Sequence, residues 1–138
     1  MRDRAREVAV IAIGGALGAS ARYGVARAEP VKAGTFPLST FGINVVGALV
    51  LAVLLETLAR RGVPPWWIRP FGAIGVLGGF TTFSTMCVEA MLLGRDGHVP
   101  LAILYALVSI ATGVIVVVAG LRLAGLGPRV VPPEEGES

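Results

Sequence analysis

The sequence predicts an all-α membrane protein of four transmembrane helices, the third broken mid-membrane. Three observations predict it. Of 138 residues, 54% are hydrophobic and 15% charged, with a mean hydropathy of +0.77. A soluble domain carries roughly 25% charged residues, and a chain this short has no core large enough to hide so much apolar surface. Charged residues divide the chain into four uncharged runs, and about 20 apolar residues cross a bilayer as a helix. The third run contains "GGFTTFSTM" at 78–86, whose glycines and hydroxyls make a poor continuous helix.

The net charge of +3 and pI near 9.8 suit a membrane protein with basic loops. No Lys/Arg cluster interleaves with aromatics, so no nucleic-acid partner is expected. The single cysteine, Cys87, excludes an intrachain disulfide and a cysteine-based metal cluster. It reads as a packed, inert thiol.

The first run extends from Val8 to Ala21 and meets Arg22. It is short unless Arg22 is included, and the span is placed at about 8–28. A cleaved signal peptide is the competing reading, since "MRDRAREVAVIAIGGALGASA" has a basic start and an A-x-A-like end. Its glycine-rich stripe suits helix packing better than a signal core.

The second run, "FPLSTFGINVVGALVLAVLL", gives a span at about 36–59. The third, "PFGAIGVLGGFTTFSTMCV", gives one at about 68–93, and the fourth, "VPLAILYALVSIATGVIVVVAGL", one at about 98–122. Between them lie "RAEPVKAGTFP", "RRGVPPWWIRP" with Trp66 and Trp67 placed as interfacial anchors, and the tight connection "GRDGHVP". Residues 1–125 thus form one four-helix transmembrane domain. The proline-rich, then acidic, segment 126–138 reads as a disordered tail.

Four crossings put both termini on one side. That side holds Arg2, Arg4, Arg6, Arg60, Arg61, Arg69, Arg122 and Arg129; the other holds Arg27, Lys32 and Arg95, plus Arg22 if exposed. This bias predicts cytoplasmic termini in a multi-pass cell (inner or plasma) membrane protein, provided its orientation is fixed.

Gly14 and Gly18, and Gly15 and Ala19, are spaced one turn apart, a pattern that lets helix backbones approach closely in lipid. Four helices make a thin wall around any pore, so a homo-oligomer is expected. The polar residues at depth are few. Asn44 either bonds a neighbouring helix or lines a path. Tyr105, Ser109 and Thr112 share one face of the fourth span, either as a wet seam or as hydroxyls bonding back to their own helix. Arg22 sits at a water-filled mouth or snorkels to the headgroups. Glu56 and Glu89 lie at span ends and are expected to face water or pair with arginine. His98 is expected to be solvated in a loop.

The "GGFTTFSTM" stretch is expected to be unwound around 78–83, which is tolerated at membrane depth only where protein or a cavity surrounds it. Freed carbonyls suit a small hard cation such as Na⁺. The half-helix starting near Ser84 points its amides towards negative charge, and Phe83 adds an electropositive ring edge. A small anion there meets ring hydrogens, an asparagine amide and hydroxyl donors.

These residues resemble the Fluc family of fluoride channels, also called CrcB. The resemblance covers "GGALGASARY" in span one, "INVVGALVL" in span two, "GGFTTFSTMCVE" in span three and the Tyr/Ser pattern of span four; the third-span motif is the specific one. It implies an antiparallel, dual-topology dimer that exports cytoplasmic fluoride passively and relieves its toxicity, with a structural Na⁺ at the dimer centre. It further implies that the carbonyls of Gly78 and Thr81 hold Na⁺ with their copies from the partner. Asn44 would donate to fluoride and Phe83 would supply one ring of a paired-phenylalanine box. Ser84, Tyr105 and Ser109 would line a polar track, Thr112 would continue it, and Arg22 would sit near an aqueous entrance.

One departure stands out: the family pattern "TTFSTF" reads "TTFSTM" here, with Met86 in place of the second phenylalanine. Either the pore conducts through Phe83 alone in a homodimer, or a homologous paired subunit supplies the missing ring. The alternative function is a small four-span multidrug or cation transporter, which needs a mid-membrane carboxylate that span one lacks. A non-transporting assembly subunit is opposed by the polar residues at depth. No nucleophile–base–orienter set is present, so no enzyme is expected.

Overall fold

The computed structural model describes residues 2–61 and 64–126. Four helical segments are long and apolar enough to cross a membrane: Asp3–Ala28, Leu38–Arg60, Arg69–Arg95 and Val99–Gly125. Helix α1 is Arg2–Ala28 and α2 is Leu38–Arg60. The third segment starts as a π-wound stretch, Arg69–Leu77, and continues through one α turn, Gly78–Phe80; together these form α3. Helix α4 is Phe83–Arg95 and α5 is Val99–Gly125. No strand occurs among the described residues.

Helix α1 starts before the apolar run and takes in the charged residues from Asp3 to Glu7. Backbone hydrogen bonding does not require apolar side chains, so a hydropathy boundary is not a helix boundary. Of the expected tail, only Leu126 falls among the described residues, where its amide bonds Leu123 O at the end of α5.

The helices pack as two close pairs, α1 on α3 and α2 on α5, with α4 against α5. Small residues make the first pair. A Cβ on Gly14 would lie 2.5 Å from Phe71 O, and one on Gly79 would lie 2.5 Å from Gly15 O. On Gly18 it would collide with Val76 O. These are backbone-to-backbone contacts, the close approach that drives association where lipid removes the hydrophobic incentive. Gly120 of α5 similarly admits Ala52 and the Leu49 carbonyl of α2.

The α4–α5 connection is equally determined. Gly97 has φ +86°, and the His98 amide reaches back to Leu93 O at 2.8 Å. This closes α4 with the left-handed glycine turn that satisfies terminal carbonyls. Pro100 follows in the first turn of α5, where its missing N–H costs nothing.

One apolar cluster anchors α4 to α5. Tyr105 is 0% exposed and packs with Met86 and Leu93. Its ring meets Phe36 edge-on at 5.0 Å, and Phe36 meets Phe41 at 5.4 Å, the geometry that aromatic quadrupoles prefer.

Candidate functional site

The interruption lies at Thr81 and Thr82, the middle of the segment Arg69–Arg95. Thr81 (φ −79°, ψ 155°) and Thr82 (φ −150°, ψ 120°) are extended, between helical residues on both sides. It is narrower than 78–83, because Gly78, Gly79 and Phe80 remain helical. The glycines do other work: Gly79 is pressed against α1 at Gly15 and Ala19.

Three side chains secure the break. Thr82 Oγ1 accepts from the Thr85 amide at 3.2 Å, an N-cap that starts α4. Asn44 of α2 holds Thr82 by both edges: its Nδ2 donates to Thr82 O, and its Oδ1 accepts from the Thr82 amide, each at 2.8 Å. Arg22 of α1 donates from Nε to Gly79 O at 3.1 Å. A cation at the C-terminal end of α3 satisfies an orphan carbonyl and opposes the helix dipole. Arg22 therefore reaches inward to the break instead of outward to headgroups.

The break leaves oxygens without partners. Leu77 O receives both the Thr81 amide and Thr81 Oγ1. Among the described residues no donor reaches Gly78 O, Phe80 O or Thr81 O. Such main-chain oxygens fit a hard cation. No cluster of three or more His, Cys, Asp or Glu able to hold a metal occurs among the described residues.

Beside the break lies an open groove of about 380 Å³, lined by Asn44, Thr81, Thr82, Phe83, Met86, Ser109 and apolar residues of α2 and α5. Phe83, the first residue of α4, is 71% exposed. Ser109 Oγ is buried and has no hydrogen-bond partner, so this serine does not bond back to its own helix. Met86 is only 7% exposed: it packs on Tyr105 within the chain and presents the remainder to the groove. Ser84 is exposed beside Thr82, with its Oγ 3.3 Å from Thr82 Oγ1, and does not line the groove. Thr112 is half-buried and also lies outside the groove lining.

Glu89 corrects the sequence reading. Among the described residues it pairs with no arginine; its carboxylate accepts from Thr40 Oγ1 and from Tyr105 OH, each at 2.7 Å. Hydroxyls paired with a carboxylate are among the stronger neutral–charged bonds. Tyr105 and Ser109, one turn apart on α5, thus divide: one binds Glu89 inside the chain, the other belongs to the groove lining with its hydroxyl buried and unpaired. No local sequence signal joins Thr40 to Glu89, because they lie on different helices. Glu56 behaves as expected, accepting from Arg60 Nε at 2.6 Å.

The family model described as "CrcB-like protein, Camphor Resistance (CrcB)" matches residues 9–121. The chain belongs to the CrcB family. All the side chains just described lie inside the CrcB match. Among curated CrcB relatives, the "Fluoride-specific ion channel FluC 3" of Streptomyces avermitilis is 42% identical over 128 residues, covering 91% of this chain and 59% of the relative. The chain therefore spans well under two thirds of that relative's length. The "Fluoride-specific ion channel FluC" of Paracoccus denitrificans is 40% identical over 113 residues, covering 82% of this chain and 90% of the relative. That of Novosphingobium aromaticivorans is 44% identical over 118 residues, covering 83% and 93%. With its four apolar helices, this CrcB chain is a multi-pass membrane protein.

Proposed function

We propose that this chain forms a fluoride-selective channel that lets cytoplasmic fluoride leave passively. The observation that carries the reading is the Ser109 hydroxyl, buried without a partner beside a groove that Asn44 and Phe83 also line. An unmade hydrogen bond at depth costs about 1–3 kcal/mol, and a desolvated anion would accept it. Asn44 Nδ2 spends one hydrogen on Thr82 O and keeps a second for the ion. The names of the relatives, fluoride-specific ion channels, supply the halide.

The groove is open on one side, where Phe83 is exposed; Gly78, outside the groove lining, is exposed as well. A Cβ on Gly78 would meet nothing closer than Ala73 O at 3.9 Å, so a second backbone has room to approach. A second copy in the opposite orientation closes the groove and brings a second Phe83; a homologous paired subunit is the other way to close it. The same pairing would let Gly78 O and Thr81 O, with their copies, hold a structural Na⁺, which supplies a positive charge that ties two carbonyl-rich breaks together. One chain alone offers too few oxygens for a hard cation.

Ser84 and Thr112 extend the path away from the groove, Tyr105 stands behind it with its hydroxyl held by Glu89, and Arg22 sets a fixed positive charge beside the break. Driving force comes from the membrane potential and from the weak acidity of hydrogen fluoride, which enters protonated and dissociates inside. The termini face the cytoplasm if the orientation is fixed. The test is fluoride efflux from liposomes with Phe83→Ile. Loss of efflux with an intact dimer supports the assignment; unchanged efflux rejects it.

A further inference from the structure

The amide of Thr82 and the carbonyl of Thr81 belong to one peptide unit. No cis peptide occurs among the described residues, and a trans peptide points its N–H and C=O in opposite directions. Asn44 Oδ1 draws the Thr82 N–H towards α2. The Thr81 carbonyl is therefore turned away from α2. The same bond has a second effect. In a continuous helix the Thr82 amide would belong to Gly78 O, four residues back; with that amide committed to Asn44, Gly78 O is left without a donor.

We infer that Asn44 is the positioning residue of the cation site: by taking the Thr82 amide it frees Gly78 O and aims Thr81 O. This rests on the reading of those two oxygens as Na⁺ ligands. It makes one side chain serve both ions, because Asn44 also lines the groove. The oxygen end of the carboxamide carries this role. The oxygen takes the amide, and the nitrogen takes Thr82 O, fixing the next peptide at the N-cap of α4. Arg22 on Gly79 O holds the peptide on the other side of the break from α1. The Thr81 carbonyl thus lies between a residue tied back to Leu77 O by its own amide and hydroxyl and a peptide N–H held by Asn44 of α2.

The experiment is a Na⁺ titration of the purified full chain, with N-methylglucammonium replacing Na⁺ at constant ionic strength. The dimer fraction and thermal midpoint are read, and fluoride efflux is read in parallel from liposomes. Wild type is compared with Asn44→Asp, which keeps the oxygen acceptor, and Asn44→Leu, which keeps neither group. The Na⁺ concentration for half-protection is expected to rise by about tenfold or more in Asn44→Leu and to stay near wild type in Asn44→Asp, although efflux falls in both. If Asn44→Leu does not fold, Asn44→Ser, whose hydroxyl falls short of Thr82, takes its place with the same expectation. An unchanged Na⁺ midpoint in the variant lacking the clamp overturns the inference. A wild-type chain that conducts fluoride but ignores Na⁺ also overturns it and leaves the channel reading standing. An Asn44-dependent Na⁺ response in a chain that conducts no fluoride upholds the inference and removes the channel.

Discussion

Asn44 and Thr82, separated by 38 positions, form a two-point amide pair in which each group donates once and accepts once. That pair puts the interruption of the third membrane segment at Thr81 and Thr82 and keeps it there. A break held by another helix is a fixed feature of the fold, which is why unpaired oxygens can persist within it and an unpaired hydroxyl near it.

The Ser109 hydroxyl separates function from stability. Ser109→Ala removes a buried group that has no partner, so folding stability is expected to hold or to rise by up to about 1–3 kcal/mol. Fluoride efflux is expected to fall at least about tenfold with the loss of one donor. Thermal midpoints in detergent and efflux from liposomes check the two halves. A destabilised Ser109→Ala would mean that the hydroxyl has a structural partner.

Glu89 makes the opposite prediction. Tyr105→Phe and Thr40→Val each take one donor from its carboxylate, and each is expected to cost about 1.5–3 kcal/mol. Because both bonds end on one carboxylate, the double variant should depart from additivity. A double-mutant cycle on unfolding free energy measures the coupling, and strict additivity would argue against a shared carboxylate.

Much of the fold is legible in the chain, and these two sites show where legibility stops. Run lengths and charged punctuation are local properties, so four spans could be read directly. The hydroxyl-rich stretch 78–86 marks the interruption because Ser and Thr compete locally for backbone groups. Its exact place was not legible: Gly78 and Gly79 look like the weak point, yet Gly79 is needed against α1 and the break moves to the threonines. A glycine's cost is local, but its use depends on which backbone it faces. The Asn44 clamp and the Thr40–Glu89–Tyr105 triad join different helices, and periodicity within one helix carries no information about such partners.

The α1–α3 contact predicts a graded glycine series. Gly18→Ala, whose methyl would meet the Val76 carbonyl, is expected to destabilise by about 1–3 kcal/mol, because backbone cannot yield as a side chain does. Gly24→Ala meets nothing within 4 Å and is expected to be neutral or stabilising by up to about 1 kcal/mol. Unfolding in mixed detergent compares them; equal effects would remove the close-approach argument.

Met86 sits against Tyr105 and at the edge of the groove. Met86→Phe changes volume little, so a stability loss below about 1.5 kcal/mol is expected. The new ring edge should let fluoride efflux match or exceed wild type. Complete loss of flux in a folded Met86→Phe would make the thioether a positive requirement of this chain.

The most direct measurement is fluoride-electrode efflux from liposomes that contain only this purified chain, with chloride efflux recorded alongside. The account predicts rapid fluoride release, little chloride release, and no need for a second kind of subunit. Absence of fluoride release from vesicles holding folded protein, or equal release of chloride, would contradict it.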